Sequence, residues 1–538
     1  MRPKYVVALT TVVVSFAAGA ALAVPPNLTD VPDANPKAPG FAAPNVLSPE
    51  LKESIVAQGA TPLENSSQLT NFYGYDNDGP MLPAPGAVQS PGHNVEATKT
   101  EPDKNTYLVL EGQHGADPDY DYGTHFLFQG HENGQGGQGY ITRINLDADG
   151  AHRVTLLATT DKNGNSFPTI DGSTWDPWAQ RLLFTTENGS KDSVWQATPD
   201  YPSTVESISG AVGRGGYEGI QNDSDGNLWI VEDVGGKTGL INTHAKQPNS
   251  FLYRFIPKDR SNLTQGGRLQ ALQVLNHQGR PIVFHPGNMD ADILSQDVKD
   301  LHTYGQVFNT RWVTIHDTAI DGNTPFDANA LAKANDATPF KRPENGQFRP
   351  GSHFTEFFFD ETGDTNAQTE AGVAFGGFGA IFKLFQANPS AINGRLTIFY
   401  RCDVAHSGFD NVGFWSKDEV VFVEDAGDTL HTQRNALDSA YLFDVTLDYS
   451  NPINQPIRIL AEGRDASATI DSGIGSISGN GFQNDGDNEI TGFHVSDGDP
   501  TPGGILGARN PHPFVAGWRV FYTQQHGDNN TWEIVPVD

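Results

Sequence analysis

One short phrase recurs along the chain: an apolar, β-branched or aromatic run that ends on acidic or amide residues just before a glycine. The copies are "FLFQGHENG" (126–134), "LLFTTENGS" (182–190), "LWIVEDVGG" (228–236), "FFFDETGD" (357–364), "VVFVEDAGD" (420–428) and "VFYTQQHGD" (520–528). The closest copies are roughly 45 to 65 residues apart, which is the span of one four-stranded propeller blade. The spacing therefore predicts an all-β fold, a β-propeller of about six blades.

Length and composition agree with a repeated β architecture. A chain of 538 residues exceeds the roughly 250 to 300 residues at which a single core stops growing. Its 58 Gly and 35 Pro indicate many turns between short strands. Two stretches, "DILSQDVKDLHTYG" (292–305) and "DANALAKANDA" (327–337), have helical composition and spacing. They predict a small helical insertion around residues 285–340 of a propeller domain that covers residues 105–538.

The N-terminal region is expected to lie outside the repeats. Residues 1–23 have a basic start, an apolar core and an Ala-Leu-Ala exit, which is typical of a secretory signal peptide. An uncleaved membrane anchor is the alternative. Residues 24–104 are rich in proline and predict an extended lead, with "SPELKESIVAQG" (48–59) as one short helix inside it. The protein is therefore expected to be exported, to the periplasm or out of the cell, and no later segment is expected to cross a membrane.

Charge and cysteine usage exclude some functions. With 65 Asp and Glu against 34 Lys and Arg, the formal net charge is -31, which disfavours nucleic-acid binding in the absence of a basic patch. The single cysteine, Cys402, cannot form a disulfide within the chain and is interpreted as a small buried hydrophobe. Since nucleic acid is disfavoured as a partner, we expect the protein to act on a small molecule, and we expect it to be a monomer.

The acidic ends of the repeated phrase predict a cation site. Because the blades of a propeller surround one channel, we expect equivalent strand ends to converge there. The acids in equivalent places are Glu132, Glu187, Glu232, Glu361 and Glu424. Two ionised carboxylates about 4 Å apart repel by about 4 kcal/mol at an effective dielectric constant of 20, so converging carboxylates require protons or cations. Oxygen ligands suit Ca²⁺ or Mg²⁺. The alternative is that these acids cap turns and face water.

Two further phrases add chemistry. "GGYEGIQND" places Glu218 at the head of the third unit, and "FKRPENGQF" places Arg342 and Glu344 on either side of Pro343. A proline holds its neighbours extended, so the guanidinium could grip phosphoryl oxygens while the carboxylate holds a metal ion. The alternative is an ordinary Arg–Glu pair on a surface loop.

The order of several motifs resembles the PhoX-type bacterial alkaline phosphatases. The motifs are "GHE" (130–132), "LLFTTEN" (182–188), "YEGIQNDSDGNLWIVED" (217–233), "RPENG" (342–346), "FTEFFFDETGD" (354–364) and "FDNVGFWSKDEVVFVED" (409–425). The resemblance implies a propeller channel that holds ferric iron and calcium ions and hydrolyses phosphate monoesters outside the cytoplasm. It implies that Glu187, Glu218 and Glu344 are metal ligands and that Arg342 is the phosphate clamp. Glu132, Asp410 and Asp425 are further candidate ligands.

The chain departs from that family at two points. Thr186 stands where the phosphatases carry a cysteine that bridges the irons, and a threonine hydroxyl is a far poorer ligand for ferric ion than a thiolate. We therefore expect Ca²⁺, with less support for Fe³⁺. The basic start of the chain also lacks the twin arginine that is usual in those enzymes.

Three functions follow from these observations. The first is an exported, metal-dependent phosphoric ester hydrolase, in which Arg342 binds a small phosphorylated substrate and steadies the group being transferred. The second is a non-catalytic, calcium-stabilised propeller that serves as a binding or envelope protein. The third is another hydrolase, or a lactonase-like enzyme, that uses one Ca²⁺ on the same scaffold.

Overall fold

The computed structural model describes residues 27–37, 44–59, 61–74, 100–132, 137–463, 489–525 and 529–537. The predicted signal peptide lies outside the described residues, as do the glycine end of the first repeated phrase and the end of the last one. Within the described ranges the chain is mostly β-strand.

Within these ranges, 26 strands build six antiparallel blades, which confirms the predicted propeller. Two strands precede the first blade: β1 (Val46–Leu47) and β2 (Leu51–Ala57). Blade 1 holds β3 (Pro102–Val109), β4 (His125–His131), β5 (Tyr140–Asn145) and β6 (Val154–Ala158). Blade 2 holds β7 (Ile170–Asp176), β8 (Arg181–Thr186), β9 (Val194–Ala197) and β10 (Val205–Ser207). Blade 3 holds β11 (Tyr217–Asn222), β12 (Leu228–Glu232), β13 (Leu252–Pro257), β14 (Gly267–Leu275) and β15 (Phe308–Asp317).

The remaining blades follow the same order. Blade 4 holds β16 (Gly346–Phe348), β17 (Glu356–Glu361), β18 (Ala380–Gln386) and β19 (Asn393–Arg401). Blade 5 holds β20 (Phe409–Phe414), β21 (Glu419–Glu424), β22 (Ser439–Asp444) and β23 (Ile457–Ala461). Blade 6 holds β24 (Glu489–Ser496), β25 (Arg519–Gln525) and β26 (Asn530–Pro536). Strand β15 also pairs with β19, so blades 3 and 4 form one nine-stranded sheet.

The first strand of each blade lies at one end of its sheet and contacts the first strand of the next blade. These six strands, β3, β7, β11, β16, β20 and β24, form a closed ring around the central channel. The residues at the start of each blade therefore share the channel, although they are far apart in the sequence.

The segment predicted as a short helix is instead strand β2. It pairs with β26 from Leu51↔Pro536 to Ala57↔Thr531 and becomes the outer strand of blade 6. The prediction was wrong because the backbone of this segment finds its hydrogen-bond partners at the far end of the chain, where local composition carries no signal. The pairing joins the two ends of the propeller in one blade.

Six α-helices lie in the described part of the chain, and four of them form the predicted helical insertion. They are α1 (Ser209–Val212), α2 (Met289–Ile293), α3 (Gln296–Leu301), α4 (Thr318–Asp321), α5 (Ala328–Ala334) and α6 (Gly427–Arg434). The Ser295 hydroxyl caps α3 by accepting from the Val298 N–H, and the Asp327 carboxylate caps α5. None of the described helices is long and apolar enough to cross a membrane.

Aromatic side chains fill the space between blades. Between blades 3 and 4, the Trp229 ring lies 4.9 Å from the rings of Phe348 and Phe357. Cys402 is fully buried in a hydrophobic cluster between blades 4 and 5, which also contains Tyr400 and Phe409, in agreement with its interpretation as a hydrophobe. This packing joins neighbouring blades around the channel.

Candidate metal centre

Four of the innermost strands carry an irregularity near their first residues, and an acidic residue occupies it. The strand registers shift between Pro102 and Asn105, Ile170 and Ser173, Tyr217 and Ile220, and Phe409 and Val412. The acids inside these shifts are Asp103, Asp171, Glu218 and Asp410. A β-bulge turns a side chain out of the regular alternation of the strand. Each bulge thus presents one carboxylate at the same end of the channel.

Blades 4 and 6 also place one acid at this end of the channel, but the strand register does not shift at that acid. Glu344 lies two residues before the start of β16, and Glu489 is the first residue of β24. All six acids, one from each blade, line a cavity of about 140 Å³, which we call the central cavity. Its other lining residues are Glu101, Glu132, Glu187, Asp233, Arg342, Asp425 and Gln525.

The central cavity holds three groups of carboxylates at distances that suit metal binding. They are Asp103–Glu132–Asp171, Asp171–Glu187–Glu218 and Glu218–Asp233–Glu344. Within each group, one oxygen from every residue lies within 4.8 Å of the others. Asp171 and Glu218 each belong to two groups, so the three groups form a continuous row.

Burial and mutual repulsion shift the carboxyl groups toward their protonated forms. Burial, followed by the charge of Asp233, raises the pKa of Glu187 to about 8. Burial, together with the charge of Asp103, raises the pKa of Asp410 to about 7. Burial is likewise the main reason why the pKa values of Glu132, Asp171 and Glu218 lie well above their usual range. Without cations, the cavity is thus stabilised by taking up protons.

Among the described residues that line the central cavity, Arg342 is the one that is basic. Its Nε and Nη2 atoms donate to the Asp233 carboxylate at 3.0 and 2.8 Å, and Nη2 lies 2.7 Å from Glu344 Oε1. Its backbone φ is +56°, a left-handed conformation that is uncommon for a residue other than glycine. The guanidinium is therefore held in a defined orientation by acids from blades 3 and 4.

All seven candidate site residues from the sequence line the central cavity. They are Glu132, Glu187, Glu218, Arg342, Glu344, Asp410 and Asp425. The five glutamates predicted to occupy equivalent strand ends are nevertheless not equivalent. Glu232, Glu361 and Glu424 do not line the cavity, whereas Glu132 and Glu187 do.

The error is a shift of one residue along the second strand of the blade. Glu232 and Glu424 pair with the residues before the bulge acids, as His131 and Thr186 do in blades 1 and 2. The residue that follows each of these four lines the cavity. These following residues are Glu132, Glu187, Asp233 and Asp425. Since successive strand residues point to opposite faces, a slip of one residue exchanges the cavity for the blade interior.

The three misassigned acids have structural partners instead. Glu232 Oε2 accepts from the Tyr253 hydroxyl at 2.9 Å, and Glu361 Oε2 is bonded to His302 Nε2 at 2.8 Å. Glu424 Oε1 accepts from Arg434 Nη1 at 3.0 Å. These contacts fix side chains within blades 3, 4 and 5.

Thr186 does not line the central cavity. Its hydroxyl donates to the Ser193 carbonyl at 2.7 Å and accepts from the Ser193 N–H at 2.8 Å. The hydroxyl is thereby fully used within blade 2, so this side chain cannot replace a bridging thiolate.

Five acids that line the cavity were not predicted from the sequence: Glu101, Asp103, Asp171, Asp233 and Glu489. For most of them, a recurring sequence pattern was present at the start of the first strand of each blade, and not in its second strand. The head phrases are "PDKN", "IDGS", "YEGI", "PENG", "FDNV" and "EITG", each with one acid. Such four-residue patterns are too common to be recognised as a repeat before the blade boundaries are known.

The raised pKa values predict a pH-dependent stability for the cation-free protein. A carboxyl group with a raised pKa in the folded state binds a proton that the unfolded state releases, so its stabilisation is complete below the unfolded pKa and is lost as the pH rises through the folded pKa. For Glu187 that window runs from 4.5 to about 8. Each such group contributes a slope of about 1.4 kcal/mol per pH unit within its window.

In chelator, we therefore expect the free energy of unfolding to fall between about pH 5 and pH 8, and excess Ca²⁺ to remove the decline. Denaturant unfolding across this range with and without Ca²⁺ measures both. A stability in chelator that rises with pH would contradict the prediction.

Comparison with known proteins agrees with the sequence motifs. Residues 236–446 match the family model described as "Alkaline phosphatase PhoX". Pseudomonas fluorescens PhoX, solved in complex with the transition-state analogue vanadate, is similar with a TM-score of 0.54 and 11% identity over 95% of this chain and 98% of that chain. Together these matches confirm the resemblance to the PhoX-type phosphatases, and at this identity the structural match shows the fold.

Other solved structures are more distant. Sqt1 from Chaetomium thermophilum has a TM-score of 0.32 and 10% identity over 82% of this chain and 97% of that chain. The α-L-arabinofuranosidase PaAbf62A from Podospora anserina has a TM-score of 0.30 and 10% identity over 88% of this chain and 99% of that chain. No curated protein sequence matches the chain.

Proposed function

We propose that this relative of the PhoX-type alkaline phosphatases is an exported, metal-dependent phosphoric ester hydrolase that acts on small phosphate monoesters. The observation that carries the proposal is the central cavity, to which every blade contributes one carboxylate beside the Arg342 guanidinium. A propeller that only needed rigidity would have no reason to concentrate eleven carboxylates in about 140 Å³.

The lining residues fit a group of hard cations. All ligand atoms in the three carboxylate groups are oxygens, which suit Ca²⁺. Asp171 Oδ1 is buried and has no hydrogen-bond partner among the described residues, as expected of an atom that binds a cation. The ligands would be Asp103, Glu132, Asp171, Glu187, Glu218, Asp233 and Glu344. No thiolate is available in the cavity lining, so Ca²⁺ has better support than Fe³⁺.

Cations bound in the row would act as Lewis acids on a phosphoryl group and help to activate the attacking water. The remaining contributions come from the chain. Asp233 and Glu344 occupy the Nε and Nη2 atoms of Arg342, and Nη1 has no partner among the described residues. That free amino group can donate to a phosphoryl oxygen at the cavity edge.

The fixed position of the Arg342 guanidinium also lowers the entropy cost of substrate binding. Because two carboxylates already hold the guanidinium, little side-chain freedom is lost when a phosphoryl group binds. A donor that is oriented in advance stabilises the charge that develops on the transferring group. We assign Arg342 this role.

Metal analysis and hydrolysis of a chromogenic phosphate monoester test the proposal directly. We expect purified protein to contain divalent cations, to release the chromophore, and to lose this activity in chelator and regain it when Ca²⁺ is added back. Turnover that persists in a metal-free preparation would overturn the metal-dependent mechanism.

One observation favours a second candidate, the non-catalytic, calcium-stabilised propeller. Two of the three nitrogens of Arg342 are already engaged by Asp233 and Glu344, which is also what a purely structural ion pair would show. In that case Ca²⁺ binds and raises the unfolding temperature, but no phosphate monoester is hydrolysed with or without iron. The same preparations thus separate the two candidates.

A further inference from the structure

A buried lysine is linked to the carboxylate row through one asparagine side chain. Lys104 follows Asp103 on β3, the innermost strand of blade 1, and is 1% exposed. Its ammonium donates to Asn345 Oδ1 at 2.7 Å. Lysine is rarely so deeply buried without an ion-pair partner, yet among the described residues this ammonium donates no hydrogen bond to a carboxylate.

The contact with Asn345 fixes the orientation of two cavity acids. With Oδ1 accepting from Lys104, the amide nitrogen must face the other way, and it donates to Glu218 Oε1 at 3.0 Å and Asp410 Oδ1 at 3.2 Å. An amide that points in the opposite sense would place its oxygen against both carboxylates. The Lys104 charge therefore sets the arrangement of acids from blades 3 and 5.

Lys104 also borders a second, smaller cavity. This space of about 40 Å³ lies between β3, β7 and β24 and is lined by Lys104, Ser173 and His494, among others. The Asn345 amide thus connects Lys104, beside this second cavity, to Glu218 and Asp410 of the central cavity. Burial lowers the pKa of Lys104, whereas the charges of Asp410, Glu218, Asp103 and Asp360, all of them acidic, favour its protonated form.

We propose that Lys104 is a fixed internal cation of the central cavity, which occupies the channel side of the carboxylate row in place of a mobile ion. The inference rests on the proposed function in one respect, namely that the cavity binds divalent cations. Removal of the charge leaves the same carboxylates with one positive charge fewer, so added cations should bind more tightly.

Ca²⁺ binding to Lys104→Met, followed by calorimetry and by the rise in unfolding temperature, tests the inference without an activity assay. We expect half-saturation at a Ca²⁺ concentration tenfold lower than for the wild type, and a lower unfolding temperature in chelator. The direction is diagnostic, because simple damage to the site would weaken binding. Lys104→Arg keeps the charge and should move the half-saturation back toward the wild-type value.

Two further variants complete the experiment. Lys417→Met removes a lysine that is 62% exposed, in the turn between β20 and β21, and should leave Ca²⁺ binding unchanged. If Lys104→Met does not fold, Lys104→Gln retains a donor for Asn345 and should show the same tighter binding. Unchanged or weaker Ca²⁺ binding in the charge-removing variants overturns the role of Lys104 while the proposed function stands. A wild type that binds no divalent cation overturns both.

Discussion

Glu218→Gln is expected to lower the affinity of the central cavity for Ca²⁺ by about 100-fold or more and to remove most phosphate-ester hydrolysis, since even residues around a metal ligand cost 10- to 100-fold when mutated. Glu218 is shared by two of the three carboxylate groups, so its loss affects two neighbouring positions in the row. Calorimetric titration with Ca²⁺ and the chromogenic assay measure the two effects.

The same substitution should stabilise the protein in chelator. Burial and the charges of Asp171 and Glu344 raise the pKa of Glu218 well above its usual range, and an amide of the same shape removes that repulsion. We therefore expect the variant to unfold at a higher temperature than the wild type without cations and at a lower temperature with them. A variant that is less stable under both conditions would show that Glu218 has only a packing role.

Glu232→Gln is the matched control. Glu232 is also a buried glutamate of blade 3, but it lies outside the cavity, and burial raises its pKa to about 8. An amide oxygen can accept from Tyr253 and Asn329 as the carboxyl oxygen does. Ca²⁺ affinity and hydrolysis should therefore remain close to wild type, within about threefold by comparison with ordinary buried isosteric changes.

Arg342→Ala is expected to lower kcat/KM for a phosphate monoester by about 1,000-fold. The variant loses the donor assigned to the phosphoryl oxygens, a type of change that costs about 100- to 1,000-fold, and it leaves Asp233 and Glu344 without their buried counter-charge. Arg342→Lys keeps a charge but not the planar fork, so it should recover only part of the loss, mainly in KM.

Arg349→Ala provides the comparison for this arginine. Arg349 makes a similar two-carboxylate contact with Glu356 of blade 4 and Asp418 of blade 5, and none of the three lines the central cavity. We expect its hydrolytic activity to stay near the wild-type level. Equal kinetics for wild type and Arg342→Ala would favour the non-catalytic propeller.

Much of the fold could be read from the sequence because the blade is a local unit. Turn residues, a β-branched run and an acidic end recur at blade spacing, and these features act within a few residues of each other. The helical insertion was also predicted correctly, since Ser295 and Asp327 cap helices whose composition is helical. Strand β2 was not, because its partner β26 lies at the opposite end of the chain.

The candidate site was predictable only in part, for a reason of register. Glu218, Arg342 and Glu344 stand in distinctive phrases, and the structure places them in one cavity. Glu232 and Asp233 are consecutive acids, and the sequence does not distinguish which of them faces the channel. The pairing of Tyr217 with Glu232 shows that it is Asp233.

By itself, the sequence determined the repeat, the surplus of negative charge and the kinds of ligand atom available. Tertiary structure alone decided which acids share a cavity, that Lys104 is linked to them through Asn345, and that Arg342 is held between Asp233 and Glu344. The physical reason is that propensity and spacing act along the chain, whereas the Coulomb interactions of a site depend on distances that arise only when the ring of six innermost strands closes.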